Sequence, residues 1–127
     1  MTIAQVSKKY DISPDTLRYY ERIGLIPSVP RTAGGIRDYD EDSCRWIELM
    51  KCTRAAGVQI EALIEYVKLF HQEGPTAEAR RKILADQREL LISRIEKMQA
   101  ALERLNFKID RYDTVLIPEE KARQSRP

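Results

Sequence analysis

The run LRYYER, residues 17–22, holds the side chains of this 127-residue chain that are best suited to contact a polyanion. On a helix of about 3.6 residues per turn, Arg18, Tyr19 and Arg22 share one side, whereas Tyr20 falls on the opposite side and is expected to pack into the core. A guanidinium donates in a rigid fork that fits a phosphate or a guanine edge, and a phenol can donate to a phosphate oxygen. The pattern indicates a nucleic-acid contact, with a merely solvated basic face as the alternative.

Two short helices joined by a tight turn are predicted to position this basic face. Thr2 and Gln5 have the capping-box spacing at the start of the first helix. Ser13 followed by Pro14 marks the start of the second, because proline at the first helical position has no amide hydrogen to leave unpaired. Only the tripeptide DIS, residues 11–13, separates the two helices. This spacing predicts a helix-turn-helix.

A β-hairpin, or wing, is predicted to follow in residues 26–40, IPSVPRTAGGIRDYD. The glycine pair 34–35 can take the positive φ angles of a tight hairpin turn, and Ile36 and Tyr39 flank polar residues in a short strand. Residues 1–37 carry six Lys and Arg against three Asp and Glu, although the whole chain has a net charge of only +2. Positive charge is therefore concentrated in the helix-turn-helix and the wing.

Three further helices are predicted from residue 40 onward. Asp40 is placed to cap the third helix and Gly57 to end it. Apolar residues from Ile60 to Phe70 line one face of the fourth. From Thr76 a long helix carries apolar residues at a spacing of seven and then alternately four and three, which is a heptad seam. The seam positions are Leu84, Leu91, Ile95, Met98, Leu102, Leu105, Ile109 and Tyr112.

The length of this last helix implies a partner chain. A helix of roughly 40 residues is about 60 Å long, longer than a small domain is wide, so it cannot bury its seam within one monomer. We therefore expect a homodimer formed through this helix; the alternative is a helix folded back onto the N-terminal domain. The predicted fold class is mainly α. Its parts are a winged helix-turn-helix with connecting helices (residues 1–72), a coiled-coil dimerisation helix (76–116) and a disordered tail (117–127).

Composition and motif content exclude several classes of protein. No apolar run approaches the roughly 18 residues of a membrane span and the N-terminus lacks a secretory signal, which predicts a cytoplasmic protein with no membrane partner. With a single histidine, no nucleophile elbow and no phosphate-binding glycine loop, we expect no enzymatic activity and no cofactor. Two isolated thiols and His71 do not make a zinc or copper site.

Cys52, on the predicted third helix, is the candidate for a reactive side chain. Helical spacing places Cys52 at the edge of the core face beside Arg45, and Cys44 on the opposite, solvated side. Lys51 and Arg54 also lie close in sequence, and basic neighbours favour the thiolate, which is the reactive form. The alternative is a small apolar filler, since free cysteine is commonly buried and inert.

The chain resembles the MerR family of bacterial transcription regulators in the run SPDTLRYYERIGLI, in the wing pattern R…GG-R-Y and in the A-G ending of the third helix. The long terminal helix also fits, so the resemblance covers residues 2–115. It implies a winged helix-turn-helix, dimerised through an antiparallel coiled coil, that binds a near-palindromic operator on double-stranded DNA between the promoter elements. The second helix would enter the major groove and the wing would grip the flanking backbone. The residues assigned to DNA binding are Thr16, Arg18, Tyr19, Tyr20, Arg22, Arg31, Arg37 and Tyr39.

The resemblance also implies a mechanism. Activated dimers of this family bend and underwind an over-long promoter spacer so that RNA polymerase can engage both promoter elements. The run MKCTRAAG is similar to a branch that responds to reactive aldehydes and nitrosative stress, in which a cysteine at the place of Cys52 is the proposed sensor. Metal-sensing members carry cysteines farther along the chain, and none follows Cys52 here. The alternatives are a regulator that senses another small ligand or none, and a coiled-coil interaction protein that binds no DNA.

Overall fold

The computed structural model describes residues 1–125, and helices account for most of this part of the chain. The chain forms two compact units, Met1–Leu91 and the residues from Ile92 onward. The helices, in chain order, are α1 (Ile3–Tyr10), α2 (Pro14–Arg22), α3 (Glu41–Ala55), α4 (Ile60–Phe70), α5 (Ala77–Arg111) and α6 (Ile117–Gln124). A π-helical turn, Tyr112–Leu116, separates α5 from α6. The predicted order of four helices followed by one long helix is confirmed.

Helices α1 and α2 begin where the sequence predicts. The Thr2 hydroxyl accepts from the Gln5 amide at 3.2 Å, and the Gln5 side chain accepts from the Thr2 amide at 2.8 Å, which completes the capping box. The Ser13 hydroxyl accepts from the Thr16 amide at 3.1 Å. Between the helices Asp11 takes the left-handed backbone conformation with φ 54°, which aspartate tolerates better than most residues. Local signals thus build the helix-turn-helix.

The wing after α2 is a tight turn with a single point of strand pairing. Within residues 1–125 the structure contains one antiparallel bridge, between Arg31 and Arg37, and no longer strand. A hydrogen bond from the Thr32 amide to the Ile36 carbonyl closes the turn at 2.8 Å, and Gly35 supplies the positive φ of 81°. The predicted short strand is therefore wrong. The two prolines of the preceding segment have no amide hydrogen to donate to a longer ladder.

The core of the first unit joins the helix-turn-helix, the wing and the next two helices. Fully burying one aliphatic side chain is worth about 1.5–3 kcal/mol relative to leaving it exposed, so a shared cluster holds these elements together. The largest fully buried side chains are Val6, Leu17, Leu25, Ile26, Tyr39, Ile47, Met50 and Leu63.

Helix α3 starts at the predicted cap. Asp40 accepts from both the amide and the hydroxyl of Ser43 at 2.8 Å, and these hydrogen bonds hold the pKa of Asp40 below its usual value. The helix buries a wider face than one heptad stripe, because it also packs toward α1, where the Tyr10 hydroxyl donates to the Glu48 carboxylate at 3.0 Å. Burial raises the pKa of Tyr10, and the Glu48 hydrogen bond raises it further.

The first turns of α5 belong to the N-terminal unit. A cavity of about 170 Å³ lies within this unit, lined on one side by residues that include Thr53 and Leu63 and on the other by Leu84 and Leu91. The first compact unit ends at Leu91, whereas the sequence places the domain boundary in the loop at residues 72–76. The first two seam positions, Leu84 and Leu91, thus lie within the N-terminal unit and line this cavity.

The segment from Ile117 to Gln124 is helical, where the sequence predicts a disordered tail. Glutamates in its first turn and basic residues in its last suit the helix dipole. The π-helical turn before it has a local cause, because Pro118 lacks an amide hydrogen and its ring would clash with the Thr114 carbonyl in a continuous α-helix. Residues 126–127 of the predicted tail lie outside the described residues.

Candidate nucleic-acid interface

The outward face of α2 carries three side chains that can bind a polyanion. Tyr19 is 41% exposed, and the Arg22 guanidinium lies 5.3 Å from the centre of its ring. Arg18 is exposed on the same face and pairs with the Asp15 carboxylate at 3.0 Å, an exposed contact that contributes little stability. The structure therefore brings together Arg18, Tyr19 and Arg22 as the sequence predicts.

The other two α2 residues assigned to DNA binding are less accessible. Thr16 is half-buried, and its hydroxyl lies 2.8 Å from that of Ser13 at the start of the helix. Tyr20 is half-buried and packs against the hydrophobic core, as its helical position predicts. Both residues lie against the body of the first unit, whereas Tyr19 beside them is exposed.

The wing presents its arginines differently from one another. Arg31 is exposed and donates to the Gly35 carbonyl at 3.0 Å, which holds its side chain along the turn. Ile36, at the turn, is 66% exposed. Arg37 is half-buried because it is drawn back toward α2 by a carboxylate.

That carboxylate belongs to Glu21, which local sequence patterns did not assign to the site. One of its oxygens accepts from Arg37 Nε and the other from the Val29 amide, each at 2.7 Å. Burial alone would raise the pKa of Glu21, but the hydrogen bonds from Arg37 and Val29 and the charge of Arg31 outweigh it and lower that pKa. The available signal was the inward position of an acid on α2, since a buried carboxylate requires a partner.

Tyr39 is not a surface residue. Its side chain is 1% exposed, and its hydroxyl has no hydrogen-bond partner among the described residues. Burial raises the pKa of this phenol although the nearby Arg37 opposes the change. The prediction that Tyr39 grips the DNA backbone is wrong for this structure, because the side chain fills the core beneath the wing.

The two cysteines have the reverse of their predicted exposure. Cys44 is 8% exposed and packs in the core near Tyr10, whereas Cys52 is exposed. The predicted solvated position of Cys44 and core-edge position of Cys52 are therefore wrong. The cause is the wide buried face of α3, which includes Ile47 as well as the predicted core residue Met50.

The basic residues expected to activate Cys52 all have other partners. Arg45 pairs with Glu41 at 3.3 Å, Lys51 donates to the Tyr10 carbonyl, and Arg54 donates to the Val58 carbonyl at 2.9 Å. The Cys52 thiol is thus accessible to a reagent, but no contact shown for residues 1–125 directs a cation to it.

Metal-binding clusters and membrane spans are both absent from the described part of the chain. Residues 1–125 contain no group of three or more His, Cys, Asp or Glu side chains placed to hold a metal ion. Over the same residues no helix is both long and apolar enough to cross a membrane.

A helix-turn-helix with an exposed basic face, a basic wing and a long terminal helix define a winged helix-turn-helix regulator. The family described as MerR family regulatory protein matches residues 2–39. A crystal structure from Listeria monocytogenes, of a MerR family transcriptional regulator, is 48% identical and superposes with a TM-score of 0.92, covering 98% of this chain and 94% of that one. The chain belongs to the MerR family of transcriptional regulators, which are not enzymes.

Two further similarities refine this placement. The HTH-type transcriptional regulator AdhR of Bacillus subtilis (strain 168) is 59% identical over 92 residues, which are 72% of this chain and 66% of AdhR. HiNmlR, a MerR family regulator lacking the sensor domain, has a crystal structure bound to promoter DNA. That structure is 25% identical and covers 91% of this chain and 92% of its own, with a TM-score of 0.82.

Proposed function

We propose that this protein binds operator DNA within a promoter as a homodimer and controls transcription by deforming that DNA. The observation that carries the proposal is the exposed cluster of Arg18, Tyr19 and Arg22 on α2, with the exposed Arg31 of the wing in the same unit. Side-chain donors on a helix in the major groove can hydrogen-bond to base edges and phosphates, and wing arginines can bind the flanking phosphate backbone. The DNA complex of the related HiNmlR supports the same use of the fold.

The dimer would form along the seam of α5. Most seam side chains are exposed in the single chain: Ile95 54%, Met98 70%, Leu102 48%, Leu105 61%, Ile109 57% and Tyr112 49%. A row of exposed apolar side chains at heptad spacing stabilises a helix only when another helix covers it. An antiparallel coiled coil would join two heads at opposite ends, so that two half-sites add their contacts.

Such a dimer would act on RNA polymerase through the shape of the promoter. Bending a site of 20–30 base pairs costs on the order of 1–6 kcal/mol, which the contacts of two heads can supply. Deforming an over-long spacer would bring the two promoter elements into a geometry that polymerase recognises.

Salt-dependent DNA binding tests this proposal. Affinity for the protein's own upstream region, measured by fluorescence anisotropy from low to moderate salt, should fall steeply because bound phosphates release counterions. Arg18→Ala should weaken binding and, because the residue occurs twice in the dimer, reduce the slope of log affinity against log salt by about two. Arg45→Ala, which removes an exposed arginine of α3, is the control and should leave both unchanged. A wild-type protein without specific DNA binding would instead be a coiled-coil interaction protein.

We further propose that Cys52 senses electrophiles or thiol oxidants. Its exposure supports access by such reagents, and the relationship to AdhR supports membership of the aldehyde-responsive branch. Modification would add bulk or polarity at the surface of α3 and change its packing against neighbouring elements. Cys52→Ser should retain operator affinity and lose induction by an aldehyde or oxidant in a promoter-reporter assay.

A regulator that senses another ligand, or none, is the second candidate. It is favoured by the engagement of Arg45, Lys51 and Arg54 with partners other than Cys52. Full induction in the Cys52→Ser variant would select this candidate and leave the DNA-binding proposal intact.

A further inference from the structure

We infer that Glu21 is a positioning residue for DNA binding, which fixes the wing arginine Arg37 against the recognition helix α2 so that helix and wing meet the duplex as one preformed surface. The inference rests on the proposed DNA-binding function. Glu21 itself faces inward and need not contact DNA.

One carboxylate ties together three parts of the head. Glu21 belongs to α2, its Oε2 accepts from the Val29 amide eight residues away, and its Oε1 accepts from Arg37 Nε sixteen residues away. Both distances are 2.7 Å. The connection after α2 and the wing are therefore held by the same side chain, and neither can move without breaking a charge-assisted hydrogen bond.

Shielding from solvent makes these contacts effective. The side chains of Glu21 and Arg37 are 12% and 25% exposed, whereas the Arg18–Asp15 pair on the outer face of α2 is 46% and 97% exposed. Salt and water screen the outer pair but reach the inner one much less. The inner pair is thus the one that can define geometry.

Arg37 retains donors while it is held. A guanidinium has five N–H donors, and the hydrogen bond to Glu21 uses the one on Nε. The bridge between Arg31 and Arg37 places these residues directly across from each other, on one face of the wing. Glu21 offsets the repulsion between the two guanidiniums, since its carboxylate interacts with both charges.

The substitution Glu21→Gln distinguishes positioning from simple electrostatics, because the two explanations predict opposite changes in DNA affinity. Removing a negative charge near a polyanion should tighten DNA binding if charge alone matters. Releasing Arg37 should weaken binding, because the wing must then be ordered on the DNA. The cost of ordering one long side chain in each of two wings corresponds to a loss of about tenfold or more.

The experiment is a double-mutant cycle on operator affinity, measured by anisotropy over a salt series with Glu21→Gln, Arg37→Ala and the double variant. We expect Glu21→Gln to lose about tenfold or more in the wild-type background. In the Arg37→Ala background, Glu21→Gln should lower operator affinity by less than about twofold, because there is then no Arg37 side chain for Glu21 to position. The salt slope of Glu21→Gln should fall toward that of Arg37→Ala. Glu41→Gln, which removes an exposed acid of α3, is the matched charge control and should not weaken binding.

Three results would overturn the inference. The first is tighter or unchanged operator binding by Glu21→Gln. The second is an equal loss of operator affinity on Glu21→Gln with and without Arg37. The third is an unchanged salt slope together with reduced thermal stability, which would make Glu21 a structural residue only. If Glu21→Gln does not fold, the variant Arg37→Lys decides. The lysine ammonium would stay with Glu21 but lacks the guanidinium fork that can hold Glu21 and DNA at once. The DNA affinity of this variant should therefore fall nearly as far as that of Arg37→Ala. Wild-type affinity for Arg37→Lys would then refute positioning. Absence of specific DNA binding by the wild type would refute the proposed function itself.

Discussion

Truncating one seam residue should dissociate the proposed dimer by an amount that the structure allows us to calculate. Leu102 is 48% exposed in the single chain, so a covering helix can bury about half of its side chain. Full burial of leucine is worth about 1.5–3 kcal/mol, which gives about 1 kcal/mol for this half. Leu102 occurs twice in a homodimer, so Leu102→Ala should cost about 2 kcal/mol of association free energy.

This cost corresponds to a dimer dissociation constant about thirtyfold higher, since each 1.4 kcal/mol is about tenfold. Sedimentation equilibrium over a range of protein concentrations would measure the constant directly. The chain supplies a matched control in Phe107, which is 71% exposed and lies five positions after Leu102, on the side of α5 away from the seam. Phe107→Ala removes a larger apolar side chain and should leave dimerisation unchanged.

The comparison of the two variants is the test of the seam. If Phe107→Ala dissociated the dimer as strongly as Leu102→Ala, the seam would have been assigned to the wrong face of α5. If neither variant changed the association state, α5 would not be the dimerisation helix, and the exposed apolar row would need another partner.

Three further outcomes are expected. A thiol reagent should label Cys52 rapidly in the native protein and Cys44 only on unfolding, as mass spectrometry of partly labelled protein would show; equal rates would contradict the burial of Cys44. Asp40→Ala should lower the unfolding free energy by about 1 kcal/mol in urea titrations through loss of the α3 cap, while Asp40→Asn should retain most of it. Because folding lowers the pKa of Glu21, the stabilisation it provides should be complete above the ordinary carboxyl pKa and decline as the pH falls through its folded-state value. The unfolding free-energy difference between wild type and Glu21→Gln should therefore shrink as the pH falls below the ordinary carboxyl pKa, and a constant difference would refute the linkage.

The sequence predicts well what neighbouring residues decide. The capping box at Thr2, the cap at Ser13 and the cap at Asp40 are each complete within four residues, and all three form. The outward face of α2 also follows from its own periodicity, since Tyr19 is exposed and Tyr20 packs inward.

The errors arise where distant segments meet. Tyr39 is amphipathic, and its burial depends on helices that pack beneath the wing. Cys44 is buried because α3 also contacts α1, which no spacing within α3 reveals. The role of Glu21 depends on Arg37, whose side chain reaches it only after the wing has folded. Local patterns therefore identify the exposed basic face of α2, and tertiary contacts determine how rigidly the wing is held beside it.

In the proposed dimer, the π-helical turn at Tyr112–Leu116 would limit how far the seams of two chains can overlap. In this turn the amide of Ile117 bonds to the carbonyl of Tyr112, five residues earlier, so the angular step between residues is smaller than in an α-helix. Apolar residues beyond Tyr112 consequently rotate off the line of the preceding seam. In the proposed dimer, an overlap that ends at this turn would set the spacing at which the two copies of α2 meet DNA. An operator of another spacing would then have to change its twist to contact both copies.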